Sequence, residues 1–144
     1  MTYDLKVLEE GCAAYGIALT ETQKEQFIRY YELLVEWNKV MNLTGITELQ
    51  EVLTKHFLDS LSIVKAIDMG KIHTCIDVGT GAGFPGIPLK IAFPHLQITL
   101  LDSLKKRLNF LDTVIGELKL EGIYTWGLSE SKRCMEEQKM GQER

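Results

Sequence analysis

Asp77-Val78-Gly79-Thr80-Gly81-Ala82-Gly83, followed 23 residues past its first glycine by Asp102, is the part of this chain best suited to chemistry. Closely spaced glycines let the backbone turn tightly and let a ligand approach without meeting a side chain. A carboxylate at the tip of the following strand can accept hydrogen bonds from both hydroxyls of a ribose. The pair points to a nucleotide-type cofactor site. The dinucleotide fingerprint spaces its glycines G-x-G-x-x-G, whereas here the third glycine arrives one residue early. Asp77 has two open roles: it contacts the cofactor, or it hydrogen-bonds the amides of the loop. Phe84 either borders an adenine or packs into the core. Ser103, beside Asp102, joins the candidate cofactor set.

A glycine loop acts only if a strand enters it and a helix leaves it. Thr74 to Val78 is a short apolar run that reads as the entering strand, and Leu89 to Phe93 follows as a helix. Pro85 and Pro88 fall near that helix's start, where first-turn N–H groups have no intrahelical partner. Pro94-His95 breaks it, and Gln97 to Asp102 reads as a second strand. Ser103 can cap a following helix whose buried stripe is Leu108, Leu111, Ile115 and Leu118, and a third strand begins near Glu121 to Tyr124. Alternating strands and helices imply right-handed crossovers and a parallel sheet.

The first 70 residues read differently. Met1 to Ile17 predicts a short helix with Leu5, Leu8 and Cys12 on one side and Gly16 as its stop. Thr20-x-x-Gln23 fits a capping box. Behind it, Phe27, Tyr30, Tyr31, Leu34, Trp37 and Met41 recur at helical spacing, predicting an amphipathic helix over 21–41. A second box, Thr47-x-x-Gln50, opens a helix with Val52, Leu53, His56, Phe57, Ser60, Leu61 and Val64 on one face. The expected organisation is a helical cap over 1–72, a partial Rossmann-like sheet domain over 73–126 and an irregular tail over 127–144. The expected fold class is therefore α/β.

Acidic residues outnumber basic ones, 20 against 16, so the net charge of −4 does not announce a nucleic-acid binder. The three cysteines match no metal or redox spacing and are read as free thiols of a reducing cytosol. The N-terminus lacks the basic and apolar regions of a signal peptide, and no apolar run approaches a membrane span. A cytoplasmic monomer with no membrane or DNA partner is expected, and no metal.

The G-x-G-x-G spacing, with an acid two residues ahead of it, resembles motif I of Rossmann-like S-adenosyl-L-methionine (SAM) methyltransferases. Longer segments resemble one family of these, glucose-inhibited division protein B, or ribosomal RNA small subunit methyltransferase G. They are Trp37-Asn38-Lys39-Val40-Met41-Asn42-Leu43-Thr44, His56-Phe57-Leu58-Asp59-Ser60-Leu61, Ile76 through Pro88, and Leu101-Asp102-Ser103, with the Lys106-Arg107 pair fitting as well. Together they lie within residues 20–123. The resemblance implies SAM as methyl donor, N7 of a guanine in 16S rRNA of the 30S subunit as acceptor, and a helical cap ahead of the sheet. It implies that Gly79, Gly81, Gly83, Phe84 and Asp102 line the SAM site. Asn42, Thr44, His56 and Asp59 would lie near it or brace it. Each also has a plainer reading: Asn42 and Thr44 as turn formers, His56 as a structural histidine, Asp59 as partner of a nearby amide. Lys39, Lys105, Lys106 and Arg107 are candidate phosphate contacts or simply solvated charges.

The family pattern continues past the third strand with a His-Gly-Arg-Ala-Glu type segment, which this chain lacks. Reading Arg133 to Met140 from each codon's third base admits Leu-His-Gly-Arg-Ala-Glu-Asp, so a truncated or frameshifted member is expected. Such a chain is expected to bind SAM weakly and to transfer little methyl. Two other readings remain at this point: a nicotinamide dehydrogenase, and a non-catalytic fragment that binds RNA or protein through the helical cap.

Overall fold

A computed structural model of the chain describes residues 3–128. The expected tail, with Cys134 and the segment from Arg133 to Met140, lies outside the described residues apart from positions 127 and 128.

The cap begins with α1 (Lys6–Ala14), whose Leu8 and Cys12 are fully buried and whose chain leaves through Gly16 at φ +77°. Helix α2 (Glu21–Asn38) carries the expected capping box: the Gln23 N–H donates to the Thr20 hydroxyl and the Thr20 N–H to the Gln23 side chain. Its buried stripe is Phe27, Tyr30, Leu33 and Leu34. The helix stops before the expected residue 41 because the Asn38 side-chain oxygen accepts from the N–H groups of Leu43 and Thr44, folding the chain back.

Thr47 does not cap the next helix. Its carbonyl accepts from the Tyr31 hydroxyl at 2.7 Å, and the Glu48 carboxylate caps instead, accepting from Gln50 and Glu51 N–H. From there α3 (Leu49–Glu51) widens into a π-helical stretch, Val52–Leu58, and returns to α-form as α4 (Asp59–Leu61), with a 3-10 turn at Ser62–Lys65. The wider π turn faces Val52, Leu53 and Phe57 into the core. Such bulges often accompany functional sites.

Three parallel strands follow: β1 (Thr74–Val78), β2 (Gln97–Asp102) and β3 (Ile123–Gly127), in the order β1-β2-β3. Helix α5 (Gly86–Ala92) joins the first two and α6 (Lys105–Leu118) the last two. Crossovers between parallel strands are right-handed as a rule, and two that advance in one direction put both helices on one face of the sheet. That face buries Ile98, Leu100 and Ile123. On the other face the described residues place no helix, and Ile76, Val78, Tyr124 and Trp126 stay 40–68% exposed.

Ser103 is exposed and does not cap α6. Leu104 holds the N-cap position, and Asp102 Oδ1 accepts its N–H at 3.0 Å. The buried stripe of α6 is Phe110, Leu111, Val114 and Leu118, shifted from the expected one because Phe110 meets Trp37 of the cap at 5.7 Å. One hydrophobic core runs through cap and sheet, joined by α2 against α5 and α6. The long helix α2 is thus the strut on which the glycine loop rests.

Candidate functional site

Pairing of Val78 with Leu101 brings the C-terminal tips of β1 and β2 side by side. The glycine loop leaves the first tip and Asp102 closes the second, the position where ligands bind in open parallel sheets. Gly79 and Gly81 take left-handed backbone, φ +71° and +60°, and a β-carbon on either would meet no atom within 4 Å. Open space therefore lies above both. Gly83 (φ +99°) and Gly86 do another job. A β-carbon at Gly83 would stand 2.7 Å from Ile87 and 2.8 Å from the Tyr30 hydroxyl, and one at Gly86 would strike Leu100. These two glycines let the loop press down on the cap and the sheet.

The loop is tied at both ends by Asp77. Its Oδ2 accepts from the Thr80 hydroxyl at 2.6 Å and from the Gly86 N–H at 3.0 Å. Burial raises the Asp77 pKa, the two hydrogen bonds oppose the rise, and the nearby charge of Asp102 adds to it. Asp77 thus bonds one loop amide and one loop hydroxyl. Almost every other amide of the loop is also spoken for. Gly79 and Thr80 N–H donate to Leu101 O, Gly81 N–H to Asp102 Oδ2 at 2.9 Å, and Gly83 and Phe84 N–H to Thr80 O. From Gly79 to Gly86 only the Ala82 N–H has no such acceptor among the described residues, Pro85 having no N–H to give. A loop in this state offers no cradle of free amides to a pyrophosphate.

Asp102 is only 2% exposed. Its two oxygens accept from Gly81 and Leu104 N–H, and Arg107 Nη1 stands 3.6 Å from Oδ1. A carboxylate has about four lone-pair positions, so two remain for hydroxyls once its surroundings yield. Arg107 is thus engaged with the site's own acid, whereas Lys39, Lys105 and Lys106 are exposed. Trp37 on Phe110 sets the end of α2, and Lys39 with it, beside the first half of α6.

The cap reaches the loop through Tyr30, His56 and Phe57. The buried Tyr30 hydroxyl donates to Ala82 O at 2.5 Å. Burial, then the charge of Asp77, holds its phenol well above the ordinary range, so it remains a donor. His56 stacks on Phe84, ring centroids 4.5 Å apart and 12° from parallel, and shares a 2.7 Å hydrogen bond with the Thr44 hydroxyl. Thr44 also accepts from Ile46 N–H, at the turn that Asn38 closes. Phe84 is half-buried between His56, Tyr30 and Phe57. The Phe84–Pro85 peptide is cis. Asn42 is exposed. Tyr30, Asn38 and Thr80 were not singled out from sequence as site residues. Tyr30 and Asn38 sit inside patterns already noted, but spacing does not reveal where a hydroxyl or amide will point.

Burial lowers the pKa of His56, against the attraction of Asp59. Folded His56 therefore binds protons less readily than unfolded His56, whose pKa is about 6.5. Its contribution to stability is full above that pH and declines as pH falls through it toward the lower folded value. The drop in melting temperature between neutral and mildly acid buffer is expected to be smaller in His56→Asn than in the parent chain. Equal drops would contradict this.

A parallel sheet with helices on one face, a glycine turn at the tip of its first strand and an acid at the tip of the second define a Rossmann-like α/β fold of the methyltransferase type. Comparison with known proteins agrees. The family model described as rRNA small subunit methyltransferase G matches residues 23–126. Curated proteins named ribosomal RNA small subunit methyltransferase G are similar as well. That of Lachnoclostridium phytofermentans is 56% identical over 114 residues, covering 79% of this chain and 47% of the relative. That of Exiguobacterium sp. is 55% identical over 114 residues, with shares of 79% and 48%. That of Thermoanaerobacter sp. is 56% identical over 119 residues, with shares of 83% and 50%. The chain belongs to the rRNA small subunit methyltransferase G family. It spans about half the length of the curated relatives it matches. No helix among the described residues is long and apolar enough to cross a membrane, and none of these residues cluster as metal ligands.

Proposed function

We propose that this chain carries the SAM-binding half of an enzyme that methylates N7 of a guanine in 16S rRNA. The observation that carries the reading is the state of the glycine loop. Its first two glycines face open space beside Asp102, yet its amides are consumed internally. That suits an adenosyl cofactor with a ribose and no pyrophosphate, and it disfavours a nicotinamide dinucleotide.

Gly79 and Gly81 would admit the cofactor's adenosyl portion against the backbone, and Asp102 would accept its ribose hydroxyls, with Ser103 exposed beside it. Gly83 and Asp77 hold the loop in shape from below, and Phe84 carries the chain on toward the cap. When bound, SAM supplies an electrophilic methyl on a sulfonium. Guanine N7 bears a free lone pair, so no residue has to remove a proton. The chain's work is alignment of the two reactants and exclusion of water. Lys39, Lys105 and Lys106, all exposed, would meet RNA phosphates, whereas Arg107 is held by Asp102. The family's relatives bear the name of rRNA methyltransferases, which favours this reading over a non-catalytic cap fragment.

The test is the position of label. The chain is incubated with tritiated SAM and 30S subunits lacking 7-methylguanosine, and the RNA is digested. Transferred label, however low its yield, is expected in 7-methylguanine. Label in any other nucleoside would overturn the assigned acceptor.

A further inference from the structure

Beside the glycine loop lies an open cavity of about 510 Å³, lined by Asp59, Ser60, Ser62, Ile63, Phe84 and Pro85. It joins the α4 region of the cap to the residues that follow Gly83. Its apolar wall is Ile63, Phe84 and Pro85. Its polar rim has an unusual sign. The Ser60 hydroxyl donates to His56 O at 2.6 Å, and the Ser62 hydroxyl donates to Asp59 O at 2.6 Å. Both hydroxyl protons are therefore committed within the helix, and what these oxygens offer the cavity is lone pairs. The Asp59 carboxylate, an acceptor only when ionised, makes no hydrogen bond or ion pair among the described residues; its charge acts on His56. The rim thus presents acceptors without a donor.

We propose that this cavity is the acceptor-base pocket, and that Asp59 reads the N1–H and N2–H₂ edge of guanine. The inference rests on the methyltransferase reading and extends it to the choice of base. A flat base suits an apolar wall with a polar rim. Guanine alone among the four RNA bases presents two adjacent N–H groups on its pairing edge, which a carboxylate accepts as a pair. Adenine and cytosine each present one amino group beside an acceptor, and that acceptor would face the lone pairs of Asp59. Uracil presents a single N–H between two carbonyls. The N1/N2 edge and N7 lie on opposite sides of the purine. With the first held at Asp59, N7 is left pointing away from the rim, free of any protein hydrogen bond and open to a methyl donor. Asp59 is in this account a specificity residue that touches the base, and His56, stacked on Phe84, positions the wall.

The experiment titrates the ¹⁵N-labelled full chain with GMP, IMP and AMP, reading amide shifts at Asp59 to Ile63 and at Phe84 and Gly86. All three nucleotides share ribose and phosphate, so differences report the base. IMP lacks the 2-amino group, and AMP lacks the N1 proton. GMP is expected to bind about tenfold more tightly than either, equivalent to about 1.4 kcal/mol for each tenfold. Asp59→Asn is expected to remove that preference while keeping the parent melting temperature at neutral pH, since the exposed carboxylate holds no hydrogen bond or ion pair among the described residues. Equal shifts by the three nucleotides, or GMP shifts that bypass the cavity, would overturn the proposal. So would an Asp59→Asn chain that loses S-adenosylhomocysteine (SAH) binding to the same degree as GMP binding, because Asp59 would then be holding the ammonium of the cofactor's methionine. SAH is titrated into the same samples. SAH shifts at Gly79 to Gly81 without GMP shifts in the cavity would sink this inference and leave the methyltransferase reading standing. Absence of SAH shifts would sink the reading beneath it.

Discussion

Gly83→Ala is expected to remove about 2–5 kcal/mol of folding free energy, against about 1–2 kcal/mol for Gly79→Ala. The two residues occupy one loop and share a left-handed backbone, φ +99° and +71°. A methyl group therefore costs about 1–2 kcal/mol of backbone strain at either. At Gly79 nothing else happens, because the new carbon meets no atom within 4 Å. At Gly83 it lands 2.7 Å from Ile87 and 2.8 Å from the Tyr30 hydroxyl, both fully buried, so overpacking adds about 1–3 kcal/mol. Against a typical total of about 5–15 kcal/mol, the larger loss is a substantial fraction of the whole. Urea denaturation of the two variants measures the difference. Equal costs would mean that Gly83 does not pack the loop onto α2. The cofactor reading adds a crossed effect: Gly79→Ala, though better folded, is expected to lose more SAH affinity, because its methyl fills the space the ligand needs.

The second large effect is at Asp102. Asp102→Asn keeps the size and one acceptor oxygen but loses the charge. Hydrogen bonds to charged groups contribute about 1.5–3 kcal/mol. Loss of the ribose contact is therefore expected to weaken SAH binding by roughly 10- to 150-fold. The Gly81 and Leu104 N–H groups each bond a different oxygen of Asp102. The new amide leaves one of them facing an NH₂ group, so some loss of stability accompanies the loss of affinity. Calorimetric titration at a temperature well below the variant's melting point separates the two. Unchanged affinity would remove the acid from the site.

The strands, the glycine loop and the acid after it were legible because each rests on local signals. Gln97–Asp102 is bracketed by a proline break and a polar exit, and Thr20 with Gln23 spells out its own capping box. What escaped was decided by contacts distant in sequence. Thr47 has the residue type of a helix cap, but Tyr31, 16 positions earlier, takes its carbonyl and passes the capping role to Glu48. Ser103 likewise yields to Asp102, which reaches the first amide of the turn into α6 itself. Helical spacing found a buried face over Val52 to Val64 but gave no hint of the π form, because its extra residue per turn blurs the 3.6-residue period. Of the residues read as a site, Gly79, Gly81 and Asp102 come together at the strand tips, while Gly83 and Phe84 turn to the cap. Which glycines face open space and which face protein was invisible, since that depends on where Tyr30, Ile87 and Leu100 end up.

A calorimetric comparison of SAH and NAD⁺ on the parent chain tests most directly whether the turn between β1 and α5 seats an adenosyl sulfonium. The account predicts saturable SAH binding, tighter than NAD⁺ by roughly tenfold or more and abolished by adding bulk at Gly79. NAD⁺ binding as tightly as SAH, or a folded chain that takes up neither, would contradict it.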